Sequence, residues 1–163
     1  MHLRNCGANN FYANSSAINS NITQFVAADK SLYFSDLTDA WLTELYPDNI
    51  SFLGNDTSIG DITGNVVHTG LAGAVGNSIN IVFDLGFWSA MESVTSNVNT
   101  FITGDITSVS NYTGTYPITV GWKNTINSGC IFYTSYHIEG ASDGAPQELA
   151  MKYLIQNLQQ VCI

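Results

Sequence analysis

The stretch SLYFSDLTDAW, residues 31–41, constrains the fold of this chain more than any other. Its first half, SLYFSD (31–36), is apolar strand sequence. It passes without a turn residue into a helical pattern in which Leu37, Trp41, Leu42 and Leu45 share a face, until Pro47 stops it. A strand that turns an abrupt corner into a helix is the mark of an α/β unit. A side chain at such a corner sits beside unpaired helix N–H groups, which favour negative charge and can hold an oxyanion.

Other segments follow the same two periods. HLRNC (2–6) reads as a short strand ending at Gly7, and Ile18, Ile22, Phe25 and Val26 predict a helix capped by Asn14 or Ser15. Residues 49–77, with the run GNDTSIGDITGN, are rich in turn formers and are expected to be loops and short strands. INIVFDL (79–85), NTFITGD (99–105) and YPITVGWK (116–123) read as strands. CIFYTSYH (130–137) is the last strand and the most apolar. A C-terminal helix follows, with Pro146 in its first turn and Leu149, Tyr153, Leu154 and Leu158 expected to face inward. Apolar strands alternating with helices predict a mostly parallel sheet covered on both faces, a three-layer α/β sandwich. With no repeat and no linker composition, the 163 residues are expected to form a single domain.

Charge narrows the function. Thirteen acidic residues against four basic ones give a net charge of −9. Such a chain repels nucleic acid and anionic membranes, so neither is expected as a partner. No apolar run reaches the ~20 residues of a membrane span. MHLRNCGANN is followed by no apolar h-region, so no signal peptide is read there. The low-Lys, Asn- and Thr-rich composition is that of bacterial exported or surface proteins, and an extracellular or cell-surface location is the expectation. Cys6, Cys130 and Cys162 are an odd, sparse set without C-x-x-C spacing, so neither a zinc site nor a disulfide scaffold is expected. Cys130 and Cys162 read as structural. The sequons at Asn14, Asn21, Asn49, Asn55 and Asn111 follow from an Asn-, Ser- and Thr-rich composition.

In α/β sheets ligands bind beyond the C-terminal ends of the strands. Cys6, the pair Ser35-Asp36, and His137 with Glu139 fall at that address. A nucleophile, an imidazole and an orienting carboxylate are the parts of a hydrolase triad. Ser35 and Asp36 are also preferred N-cap residues, and a cap residue can equally be a nucleophile. Cys6 ionises more readily than serine, yet free cysteines are commonly just buried. In extended chain His137 and Glu139 point to the same side, so the carboxylate can orient the ring. The alternative is a solvated glutamate beside a histidine that bonds a loop.

These motifs resemble one family. FYTSYHIE resembles the C-terminal His-x-Glu segment of class I glutamine amidotransferase-like domains. KSLYFSDLTDAWLTEL falls where that superfamily has its nucleophile strand, elbow and helix, and RNCG resembles the strand end that helps form the oxyanion hole. The whole run is similar to amidotransferase-like domains of large bacterial surface proteins. The resemblance implies a flavodoxin-like three-layer sandwich. It departs at the elbow, where Tyr33-Phe-Ser-Asp-Leu37 replaces Gly-x-Cys-x-Gly, and at Ile138, where the family has proline. The match begins after the family's first strand and helix. A missing strand would leave an exposed sheet edge, which favours a homodimer.

Two functions are consistent with these residues. One is a small hydrolase of esters or amides: Cys6 or Ser35 attacks, His137 serves as base and then acid, and Glu139 orients it. Backbone at Gly7 and Asp36 then holds the oxyanion, and an exposed Trp88 lines the cleft. The other is a non-catalytic module of a surface protein that binds a surface ligand or acts as a spacer. No cofactor is expected; Asp56 and Asp61 in the turn-rich loop are the weak candidates for Ca²⁺.

Overall fold

The computed structural model describes residues 2–3, 15–138 and 144–162. Strand β1 (His2–Leu3), helix α1 (Ser15–Ala27) and strand β2 (Leu32–Ser35) come first. A 3₁₀ turn (Asp36–Thr38) then leads into α2 (Asp39–Leu45). Next are β3 (Ile50–Gly54), β4 (Gly60–Val66), α3 (Thr69–Val75), β5 (Ser78–Phe83) and β6 (Ala90–Val94). The last elements are β7 (Asn99–Asp105), β8 (Thr115–Lys123), β9 (Cys130–Thr134), α4 (Pro146–Gln156) and α5 (Leu158–Val161).

Seven strands form one sheet in the order β1-β2-β9-β8-β7-β4-β5, and β3 pairs with β6 as a separate ribbon. Among the described residues only β1·β2 and β2·β9 are parallel; every other pairing is antiparallel. The expected mostly parallel three-layer sandwich is therefore incorrect: the sheet is mixed, mostly antiparallel and curled, with few helices. The physical reason lies in the connections. A parallel neighbour needs a crossover of a dozen or more residues, usually a helix. Between β3 and β9 the chain offers only the seven-residue α3, so its strands return by short links and pair antiparallel.

Two apolar clusters occupy the two faces of the sheet. Leu32 and Phe34 of β2, Val120 and Trp122 of β8, and Ile131 and Tyr133 of β9 pack with Ile22, Trp41 and Leu42. On the other side Tyr33, Ile118 and Phe132 join Ile81, Phe101, Trp88, Met151 and Leu154. Strands β2 and β9 are thus buried on both faces. β4 and β5 instead alternate buried and exposed residues, as strands with one wet face do.

Cys130 and Cys162 form a disulfide, with their Cα atoms 5.9 Å apart. This corrects the expectation of no disulfide. Cys130 opens β9, and α4 and α5 carry the chain back so that Cys162 lies against it in the same apolar cluster. Sequence spacing cannot reveal a pair brought together by a returning helix.

Candidate functional site

The site begins at the corner after β2. Ser35 is extended (φ −146°, ψ 158°), and Asp36 then takes a positive φ of 56° before the 3₁₀ turn. Left-handed backbone is uncommon outside glycine, and Asp tolerates it better than most residues. The corner is therefore a sharp elbow whose apex is Asp36, one residue later than the position expected of a nucleophile. Neighbouring groups fix it. Thr38 Oγ1 donates to the Ser35 carbonyl at 2.8 Å. The Tyr133 hydroxyl lies 2.8 Å from the Asp36 carbonyl and 3.1 Å from that of Ser89, its one hydrogen shared between them.

Ser35 itself is 2% exposed. Thr134 Oγ1 donates to the Tyr136 carbonyl, so it accepts from the Tyr33 hydroxyl 2.7 Å away. Tyr33 has then used its only hydrogen. Burial pushes the Tyr33 phenol up to about 12.

His137 follows β9, the strand that pairs with β2. Its Nε2 is 3.1 Å from Asp84 Oδ1, and its Nδ1 is 4.0 Å from Asp36 Oδ2. With Nε2 against the Asp84 carboxylate, Nδ1 is the ring nitrogen that faces the elbow. Asp36 and His137 are nearly buried while Asp84 is 45% exposed. A pair this wet contributes at most ~1 kcal/mol of stability, so its consequence is orientation of the ring. Asp84 follows β5, at the far edge of the sheet from β1, and reaches His137 only because the sheet curls.

The loop that carries Asp84 is closed by an aromatic clasp. Phe83 and Trp88 stack with centroids 3.9 Å apart and planes 17° apart. Trp88, the candidate cleft-lining residue of the hydrolase reading, is 1% exposed and lies in the core. Its indole N–H donates to the Ser58 carbonyl, and its backbone N–H to Thr57 Oγ1. Leu85 and Phe87 between the two rings are exposed.

Cys6, Gly7 and Glu139 lie outside the described residues. Of the residues marked by sequence, Asp36 and His137 are brought together, and Ser35 is adjacent but turned inward. Asp84 was missed. Its signal was a carboxylate at the end of the apolar run INIVF, obscured because the strand was read on to Leu85. Asp61 sits on β4, where Asn80 Nδ2 donates to its Oδ2 at 3.2 Å, and the Asp56 carbonyl accepts from Asn111 N. Among the described residues no group of three or more His, Cys, Asp or Glu side chains is placed to hold a metal ion.

No protein-family model matches the chain, and no curated protein matches it in sequence. Solved structures do. An mmIFT52 N-terminal domain aligns with TM-score 0.66 and 11% identity, over 91% of this chain and 73% of that one. A ThuA-like protein from Bacteroides uniformis aligns with TM-score 0.61 and 13% identity, over 87% of this chain and 63% of that one. The likeness is one of fold. It supports the class I glutamine amidotransferase-like resemblance at that level, through the ThuA-like neighbour.

Proposed function

We propose that the chain is a small hydrolase of ester- or amide-type substrates, with His137 as its general base. The supporting observation is the imidazole with Nε2 3.1 Å from Asp84 Oδ1 on one side while its other nitrogen faces the elbow at Asp36. An imidazole oriented by a carboxylate takes a proton from a nucleophile and returns it to the leaving group. Asp84 fills the orienting role first considered for Glu139. Cys6 and Ser35 are the nucleophile candidates, and the burial of Ser35, only 2% exposed, favours Cys6. The Cys130–Cys162 disulfide favours an oxidising compartment, and with it an exported protein.

The test is p-nitrophenyl ester hydrolysis by the parent chain and its Cys6→Ala, Ser35→Ala, Asp84→Asn and His137→Ala variants. His137→Ala is expected to lower kcat/KM by ~10²–10⁴-fold. Asp84→Asn should lower it by about tenfold or more. Activity that survives in the His137 variant would reject the reading.

A second reading has its own support: the elbow apex carries a carboxylate, Asp36, in place of a thiol or hydroxyl. In that reading the domain is a non-catalytic binding or structural module, and Asp36, His137 and Asp84 form its polar contact surface. Absence of turnover in the parent chain selects this alternative.

A further inference from the structure

Gln147 belongs to no motif, yet it is 4% exposed and occupies the first turn of α4, directly after Pro146. Burying a primary amide is costly unless its groups are satisfied. Here each end of the amide bonds a different segment. Oε1 accepts from the Val82 backbone N–H at 2.9 Å, and Nε2 donates to the His137 carbonyl at 3.2 Å. These partners fix the orientation of the amide, since an N–H needs an acceptor and a carbonyl needs a donor.

Both bonded segments are those of the candidate site. Val82 lies two residues before Asp84, and the other contact is to the backbone of His137 itself. The register Asp61↔Val82 and the bond from Val66 N to the Asn77 carbonyl place Val82 N–H on the outer edge of β5, where among the described residues no strand pairs with it. Gln147 therefore replaces the missing neighbour strand there and ties that edge to the segment after β9. These two segments come from opposite parts of the sheet order. The 3.1 Å contact between His137 and Asp84 needs them held at a fixed separation.

We infer that Gln147 is a positioning residue: its side-chain amide sets the distance at which Asp84 meets His137. No other uncharged side chain of this length offers an acceptor and a donor on one rigid plane. Glutamate keeps the acceptor but loses the donor, and methionine keeps the shape but loses both. The inference rests on the reading of His137 as the base, but its main test does not need turnover.

The experiment is NMR of protein labelled with ¹⁵N at histidine, for the parent and the Gln147→Met, Gln147→Glu, Asp84→Asn and His137→Gln variants. The chain has three histidines, and His137→Gln assigns the signal. In the parent the Nε2 proton of His137 is expected downfield and protected from solvent exchange. Asp84→Asn should remove that signal, as should Gln147→Met, although Gln147 touches neither side chain. Gln147→Glu should weaken it, and it serves as the test if the methionine variant fails to fold. A protected signal unchanged in a folded Gln147 variant overturns the inference. In the esterase assay Gln147→Met should lower kcat about tenfold, with KM within about twofold. A parent without turnover but with the expected NMR pattern rejects the hydrolase reading and leaves the positioning role intact.

Discussion

Asp36 joins backbone geometry to chemistry. Its φ of 56° lies where a β-branched residue is strained and glycine is not. Asp36→Val is therefore expected to destabilise the fold by ~1–2 kcal/mol, while Asp36→Gly stays within about 1 kcal/mol of the parent. Urea midpoints at unchanged slope measure this. Equal losses for both variants would mean that the side chain, not the backbone, holds the corner. Much of the site was legible one residue at a time. His137 and Asp36 stand at strand ends in the sequence, and the structure puts them 4.0 Å apart. Asp84 was not legible, because it approaches His137 through the curl of the sheet, which no local pattern encodes. Gln147 was hidden for the opposite reason: a glutamine in the first turn of a helix looks like an ordinary surface residue.

At the scale of elements, the disulfide joins the start of β9 to the end of α5 across 32 residues. Closing a loop of that length removes unfolded-state entropy worth ~3–4 kcal/mol. Cys162→Ser, or reduction of the parent, should lower unfolding stability by up to that amount, as measured by denaturant titration with and without reductant. No change on reduction would mean that the two thiols are not linked. The elements themselves followed their periodicities closely. α1 and β2 lie where the apolar spacing placed them, and β9 occupies the apolar part of CIFYTSYH. Of the residues expected to face inward, Leu154 is buried and Tyr153 and Leu158 pack against the core. Ala150 and Met151 are also buried, while Leu149 is 44% exposed. In residues 49–77, whose glycines and asparagines suggested loops and short strands, β4 has buried Ile62, Gly64 and Val66 on one face and polar Asp61, Thr63 and Asn65 on the other. That alternation marks an antiparallel strand, and it was hidden because glycine occupies a core position.

For the whole molecule, buried phenols tie stability to alkaline pH. Tyr33 releases its proton near 10.0 when unfolded but only at about 12 when folded, because burial disfavours the phenolate. Burial pushes Tyr133 and Tyr136 up as well. Between those two pH values the folded state holds more protons than the unfolded one. The stabilisation is therefore full below pH 10 and is lost as pH rises through about 12. Tyrosinate absorbance at 295 nm followed beside far-UV circular dichroism should show the buried phenols ionising only as the dichroism collapses. All tyrosines ionising near pH 10 in a folded chain would contradict this.

The order of the sheet also sets a timetable. β7, β8 and β9 are sequential antiparallel neighbours and can zip together locally, whereas β2 must find β9, pairing Leu32 with Ile131 across most of the chain. Pairings of such long range close late and slowly. On a ribosome β2 and its elbow would wait, with one edge open, until residue 134 had emerged. Asp36 can meet His137 only when that last seam shuts, so any function that needs both residues begins as folding ends.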